Sequence, residues 1–136
     1  MTEKERRIQD FLMNWKYTLQ RIERLNRNIS EMSPSVTSKL DLVPSRAKGS
    51  TSNKVESFCI RKARKELERD ALLGTIRMYE RAIKKAKLTD RERGIIECLK
   101  EDVNISDFAK REGIYSSYAY KIKDGAISKI ARFIKE

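Results

Sequence analysis

The sequence predicts an all-α protein: two long amphipathic helices joined by a serine-rich linker, then a C-terminal helix-turn-helix domain. Three observations carry this. Apolar residues recur at offsets of three, four and seven over most of the chain, the period of a helix with one buried face. Charged residues make up 38% of a composition with only five glycines and two prolines, both prolines falling in one stretch, which is how helix-rich chains are built. Finally, cap and turn residues cluster between positions 88 and 125 and cut the last third into short pieces.

From Glu3 to Met32 the columns Ile8, Trp15, Ile22, Ile29 and Phe11, Leu25, Met32, widened by Leu12 and Leu19, predict one long helix. Its stripe can pack on the second helix of the same chain, or form a homodimer seam or a partner-docking surface, and a heptad series alone does not separate these. Residues 33–53 hold six serines, both prolines and Gly49, a composition that argues for a linker, to which Leu40, Leu42 and Val43 add three residues able to latch onto the helices. A second helix is expected from Lys54 to Lys87, its apolar face running through Val55, Phe58, Cys59, Ala63, Leu67, Leu72, Ile76, Tyr79, Ile83 and Ala86, with Gly74 its weak point. This gives an arm over 1–87 and a separate domain over 88–136.

The C-terminal domain can be built from local signals. Thr89-Asp-Arg-Glu92 has the form of a capping box ahead of Ile95, Ile96 and Leu99, and Leu88 is placed as a hydrophobic staple. Ile105, Phe108 and Ala109 define a short helix that Asn104 or Ser106 can cap. Gly113 supplies the positive φ of a sharp helix-to-helix turn, Ile114 plugs that turn, and Ser116 or Ser117 can cap the next helix. Ala109, Gly113, Ile114, Ala119 and Ile122 are then packing positions, and Ile127, Ile130, Ala131 and Ile134 close the domain. The helix is expected to continue through Asp124-Gly125. Its outward face, Tyr115, Ser116, Ser117, Tyr120 and Lys121, is what a major groove would receive. Lys110, Arg111, Lys123, Lys129 and Arg132 are the candidate phosphate contacts.

These residues carry a resemblance. Leu88-Thr-Asp-Arg-Glu-Arg93, Ile105-Ser-Asp-Phe-Ala109, the Gly113-Ile114 turn and the Ala126-Ile127 to Lys129-Ile130 tail resemble the promoter-reading C-terminal domain of bacterial sigma factors. With a helical N-terminal half and a serine-rich spacer, the whole chain looks like the sigma-like late-gene regulators of Gram-positive phages and prophages, the ArpU and RinA type. The resemblance implies a transcriptional activator working at a promoter with host RNA polymerase. Spacing and composition by themselves imply only DNA binding. Ser116, Ser117, Tyr118 and Tyr120 stand where sigma factors usually carry charged residues, so a different target sequence is implied, because serine cannot make the bidentate contact by which arginine reads guanine.

The formal charge of +11 and pI near 9.8 favour a polyanionic partner, double-stranded DNA first. Its distribution is uneven. Residues 54–87 carry eleven Lys or Arg against five Asp or Glu, a balance of +6, whereas residues 88–136 carry ten against nine, a balance of +1. Arg61, Lys62, Arg64 and Lys65, or Arg81, Lys84, Lys85 and Lys87, could therefore track a nucleic-acid backbone.

No histidine is present, and Cys59 and Cys98 lie far apart inside expected helices, so no zinc site, cofactor or histidine-based catalytic pair is expected. Both thiols read as small core residues, and the chain reads as no enzyme. No run approaches 18 apolar residues, and a soluble cytoplasmic protein without a membrane partner is expected. Two further readings remain open: a small terminase subunit, and an adaptor that binds RNA polymerase or a sigma factor through the long helices and never reads DNA.

Overall fold

The computed structural model describes residues 1–32 and 48–135, and its regular elements there are helices. Helix α1 (Glu3–Met13) is capped by Thr2, whose hydroxyl accepts from the Glu5 N–H at 3.2 Å. The single helix expected over 3–32 is interrupted at Asn14. There the side-chain amide donates to the Asp10 carbonyl at 2.8 Å, and the backbone N–H is shared between Asp10 and Phe11 carbonyls. Asparagine competes in this way with the backbone ladder, and α2 (Trp15–Glu31) resumes one residue later. Helix α3 (Lys48–Lys85) begins six residues before the expected start at Lys54 and runs through Gly74 without a break. The rest of the linker, with Leu40, Leu42 and Val43, lies outside the described residues. Helices α4 (Asp90–Lys100), α5 (Ile105–Glu112) and α6 (Ser116–Ala131) follow, and α6 passes through Asp124-Gly125 as expected.

Contacts divide the chain into two compact units. One comprises residues 1–19 and 75–136. Its boundary is not at 88, because α1 packs on both α4 and α6, so Ile8 and Leu12 are fully buried together with Ile95, Ile96, Ile127 and Ile130. A domain of only 88–136 is small for burying an apolar core of its own, and α1 supplies the missing surface. Phe11 links α1 to its neighbours in this unit. Its ring stacks on Tyr79 at 4.3 Å between centroids and meets Trp15 edge-on at 5.7 Å, while the Lys100 ammonium sits 4.5 Å from the Trp15 ring centre.

The other unit, residues 20–74, places α2 along α3 within one chain. Ile22 and Leu25 are buried, and the Arg21 guanidinium forks onto the Glu68 carboxylate at 3.0 and 3.2 Å. Such an exposed pair contributes little stability but fixes alignment. Here the expected apolar face of α3 needs correction. Cys59 and Ala63 are exposed, and Leu67 is 72% exposed. The half-buried residues of α3 here are Val55, Phe58, Lys62, Lys65, Glu66, Arg69, Leu72 and Leu73, so the inward side includes charged residues whose aliphatic stems can cover α2. Leu19, also expected in the buried stripe, is 45% exposed. Cys98 is buried, as the sequence suggests for it.

Two glycines in the C-terminal helices have opposite environments. A Cβ on Gly94 would lie 2.9 Å from Cε2 of the buried Phe108 ring, whereas one on Gly125 would meet nothing within 4 Å. Gly125→Ala is expected to stabilise the protein by about 1 kcal/mol through helix propensity. Gly94→Ala should destabilise it by about 1 kcal/mol, because overpacking outweighs the same propensity gain. Urea midpoints of the two variants against the parent check this pair of signs.

Candidate nucleic-acid interface

The local sequence builds α4, α5 and α6 in the manner expected of it up to the start of α6. At the head of α4 the capping box is closed in both directions. The Glu92 N–H donates to the Thr89 hydroxyl at 3.3 Å, and the Thr89 N–H donates to Glu92 Oε1 at 3.0 Å. Helix α4 ends with Asp102 at φ 59, where the Val103 N–H returns to the Cys98 carbonyl at 2.8 Å. Asn104 then caps α5, accepting from the Ser106 N–H at 3.1 Å. Gly113 takes φ 69 and ψ 33, and the Ile114 N–H closes onto the Ala109 carbonyl at 2.9 Å. This is a Schellman-type stop, which a residue with a Cβ would strain.

Neither serine caps α6. Tyr115 holds the extended backbone of the cap position, no side chain accepts from the helix start, and Ser116 and Ser117 lie in its first turn. The first N–H groups of α6 therefore lack an intramolecular side-chain acceptor, in a place where helix geometry favours an anion. Around this end the five expected base-reading residues come together at the surface. Tyr115 is 85% exposed and Tyr120 43%, and Ser116, Ser117 and Lys121 are exposed beside them. The opposite side of α6 is buried at Ala119, Ala126, Ile127 and Ile130. Ala109 is buried as well, while Ile114 and Ile122 are half-buried.

The phosphate candidates separate into two groups. Lys110, Arg111 and Arg132 are exposed; the Arg111 guanidinium lies over the Phe108 ring at 5.6 Å, and its Nη2 approaches Cys98 Sγ at 3.8 Å. Lys123 is not on the outward face. It is buried, with its side chain 10% exposed, its ammonium 3.4 Å from Asp124 Oδ1 and 5.1 Å from the Tyr120 ring centre. The signal was in the sequence, since 123 lies four after Ala119 and three before Ala126, on the inward row of the helix. Lys129 is engaged too, donating to Glu92 Oε1 at 2.8 Å. Two residues not singled out as contacts join the outward surface: Arg91 and Tyr118 share a shallow groove with Thr89, Lys121, Ile122 and Gly125. Arg91 is exposed on the first turn of α4, a position that local sequence does not relate to α6.

Burial of Glu92 acts to raise its pKa, but the Lys129 ammonium and the Thr89 N–H and hydroxyl outweigh this and hold it below the usual glutamate range. No group of His, Cys, Asp and Glu among the described residues is arranged to hold a metal ion, and none of their helices is long and apolar enough to cross a membrane. Comparison with protein-family models, curated proteins and solved structures finds no match.

The lowered pKa has a consequence for stability. A carboxylate favoured in the folded state contributes stability above the usual glutamate range and loses it as pH falls through the lowered folded value. Glu92→Gln keeps the shape of the cap but loses the charge facing Lys129. It is expected to be about 2 kcal/mol less stable than the parent at neutrality, with the gap closing in acid. Urea unfolding of both proteins across that pH range measures it.

Proposed function

We propose that the chain is a sequence-specific, double-stranded DNA-binding transcriptional regulator that acts at a promoter with RNA polymerase, as an activator of the phage or prophage late-gene kind. The observation that carries the reading is α6, a helix buried on one side whose cap residue Tyr115 and first two turns, Ser116, Ser117, Tyr120 and Lys121, are exposed together. An α-helix presented by a tight helix-to-helix turn fits the width of the major groove, with the residues of its N-terminal end on the base edges. Uncapped N–H groups at that end suit a flanking phosphate. The net charge of +11 and the sigma-like pattern of 88–131 point the same way.

The chemistry of the face sets limits on what it reads. Serine hydroxyls and tyrosine rings make single hydrogen bonds and apolar contacts with thymine methyl groups, not the arginine fork on guanine. With Lys123 buried beside Asp124 and the half-exposed Lys129 paired with Glu92, one face offers few free cations, and phosphate neutralisation supplies much of the affinity of such proteins. Lys110, Arg111, Lys121 and Arg132 provide part of it. Arg77, Arg81, Lys84, Lys85 and Lys87 belong to the same compact unit and are exposed, and they extend the basic surface. Pairing of two copies would add a second head and raise affinity by avidity. A second reading, the polymerase or sigma-factor adaptor, is favoured by the exposure of Ile60 and Leu67, 46% and 72%, on α3.

The double variant Tyr120→Ala, Lys121→Ala separates these readings. It should lose about 100-fold in affinity for the preferred site, down to the level of random DNA, with unchanged helicity by circular dichroism. Fluorescence anisotropy on both DNAs measures the difference, and undiminished preference for the site in the variant would exclude α6 as the reading helix.

A further inference from the structure

Bordering the outward face of α6 at Tyr120, the same compact unit contains a half-open cavity of about 450 Å³, a volume typical of small-molecule sites. It is formed where α1 packs against α4 and α6. Met13, Leu99, Val103 and Ile105 give it an apolar wall. Its polar groups are few and of distinct kinds. Asn104 is already used to cap α5. Lys123 contributes an ammonium on a side chain nine-tenths buried, with Asp124 Oδ1 beside it at 3.4 Å. Gln9 also lines it; its Nε2 approaches Met13 Sδ at 3.9 Å, and its Oε1 is buried with no hydrogen-bond partner, which is costly to leave unmet. Asp102 stands at the open rim, held by the Tyr17 hydroxyl donating to Oδ2 at 3.4 Å.

We propose that this cavity binds a small α-amino acid with an apolar side chain. A buried cation matches a carboxylate, an unmet carbonyl oxygen and a rim carboxylate match an ammonium, and the apolar wall matches the side chain. A ligand with only one of the two charges engages only one end of the site: either Lys123, whose pairing with the exposed Asp124 a carboxylate would join, or Gln9 and Asp102. Tyr120 also lines the cavity and is one of the residues assigned to base reading, so an occupied cavity alters the presentation of the reading face. This regulatory half rests on the DNA-binding reading; the binding site does not.

The test is a titration of the full chain with L-phenylalanine, followed by amide chemical shifts, with 3-phenylpropionate and L-phenylalaninamide as probes lacking one charge each. Saturable shifts are expected at Val103, Ile105 and Tyr120, with both control compounds about tenfold weaker. Lys123→Met should weaken L-phenylalanine about tenfold without loss of helicity, and Val103→Trp, which fills the cavity from an exposed turn, should abolish binding. Absence of saturable shifts at those residues, equal binding of all three compounds, or undiminished binding by both variants would overturn the site. DNA affinity is then measured with and without L-phenylalanine. A change supports the regulatory half. No change in a saturated protein that still binds its site overturns that half, and failure of the ligand-free protein to prefer any DNA sequence overturns the proposed function while leaving the site intact.

Discussion

A carboxylate buried without partners would cost several kcal/mol, so Glu92 has to be met on more than one side, and the way it is met fixes the C-terminal helices. Its backbone and one oxygen close the cap on Thr89, which sets where α4 starts. The same oxygen accepts from Lys129 near the far end of α6. One residue thus ties the beginning of one helix to the end of another, and the intervening α5 and its glycine turn have their span defined from both ends. The outward face of α6 keeps its direction because its inward face has no freedom: Ala119, Ala126, Ile127 and Ile130 are fully buried against the rest of the unit.

The unit spends its basic residues in two ways. Lys129 and Lys123 sit on the structural side, paired with Glu92 and Asp124, whereas Lys110, Arg111, Lys121 and Arg132 face solvent. Residues 88–136, with ten basic against nine acidic side chains, are nearly neutral within a protein of charge +11, and the two pairs reduce further the cations that their surface offers. In the proposed function, long-range attraction would come from the whole chain, including the exposed cations of α3, while discrimination would fall to a short row of hydroxyls and aromatic rings. Such a division lets positioning and sequence reading be altered separately.

Features set by neighbours in sequence were legible in advance. The bounds of α5, the Thr89–Glu92 cap, the left-handed Gly113 and the passage of α6 through Gly125 each follow from residues within four positions of one another, as does the row of exposed residues from Tyr115 to Lys121. Features set by distant packing were not. Nothing local says that Ile8 and Leu12 complete the core under α4 and α6, or that Arg91 borders the groove beside Lys121, or that Gln9 and Lys123 line one cavity. Two misreadings lay within reach. Lys123 falls on the same helical row as Ala119 and Ala126, so spacing should have outweighed charge, and Asn14 is a residue able to interrupt a helix in the middle of an otherwise regular stripe. On α3 the expected positions Val55, Phe58, Leu72, Ile76, Tyr79 and Ile83 are buried or half-buried, as is Ala86 just past its end, whereas Cys59, Ala63 and Leu67 are exposed, because Lys62, Lys65 and Arg69 take inward positions there and charged residues with long stems are invisible to an apolar count.

In the proposed function α6 reads a DNA sequence. The most direct measurement is selection of bound fragments from sheared genomic DNA of the source by the purified full-length protein at near-physiological salt, followed by sequencing. Recovery of one or a few fragments, placed upstream of an operon, is the predicted result. Uniform recovery across the genome would contradict it, since charge alone would then account for all the binding.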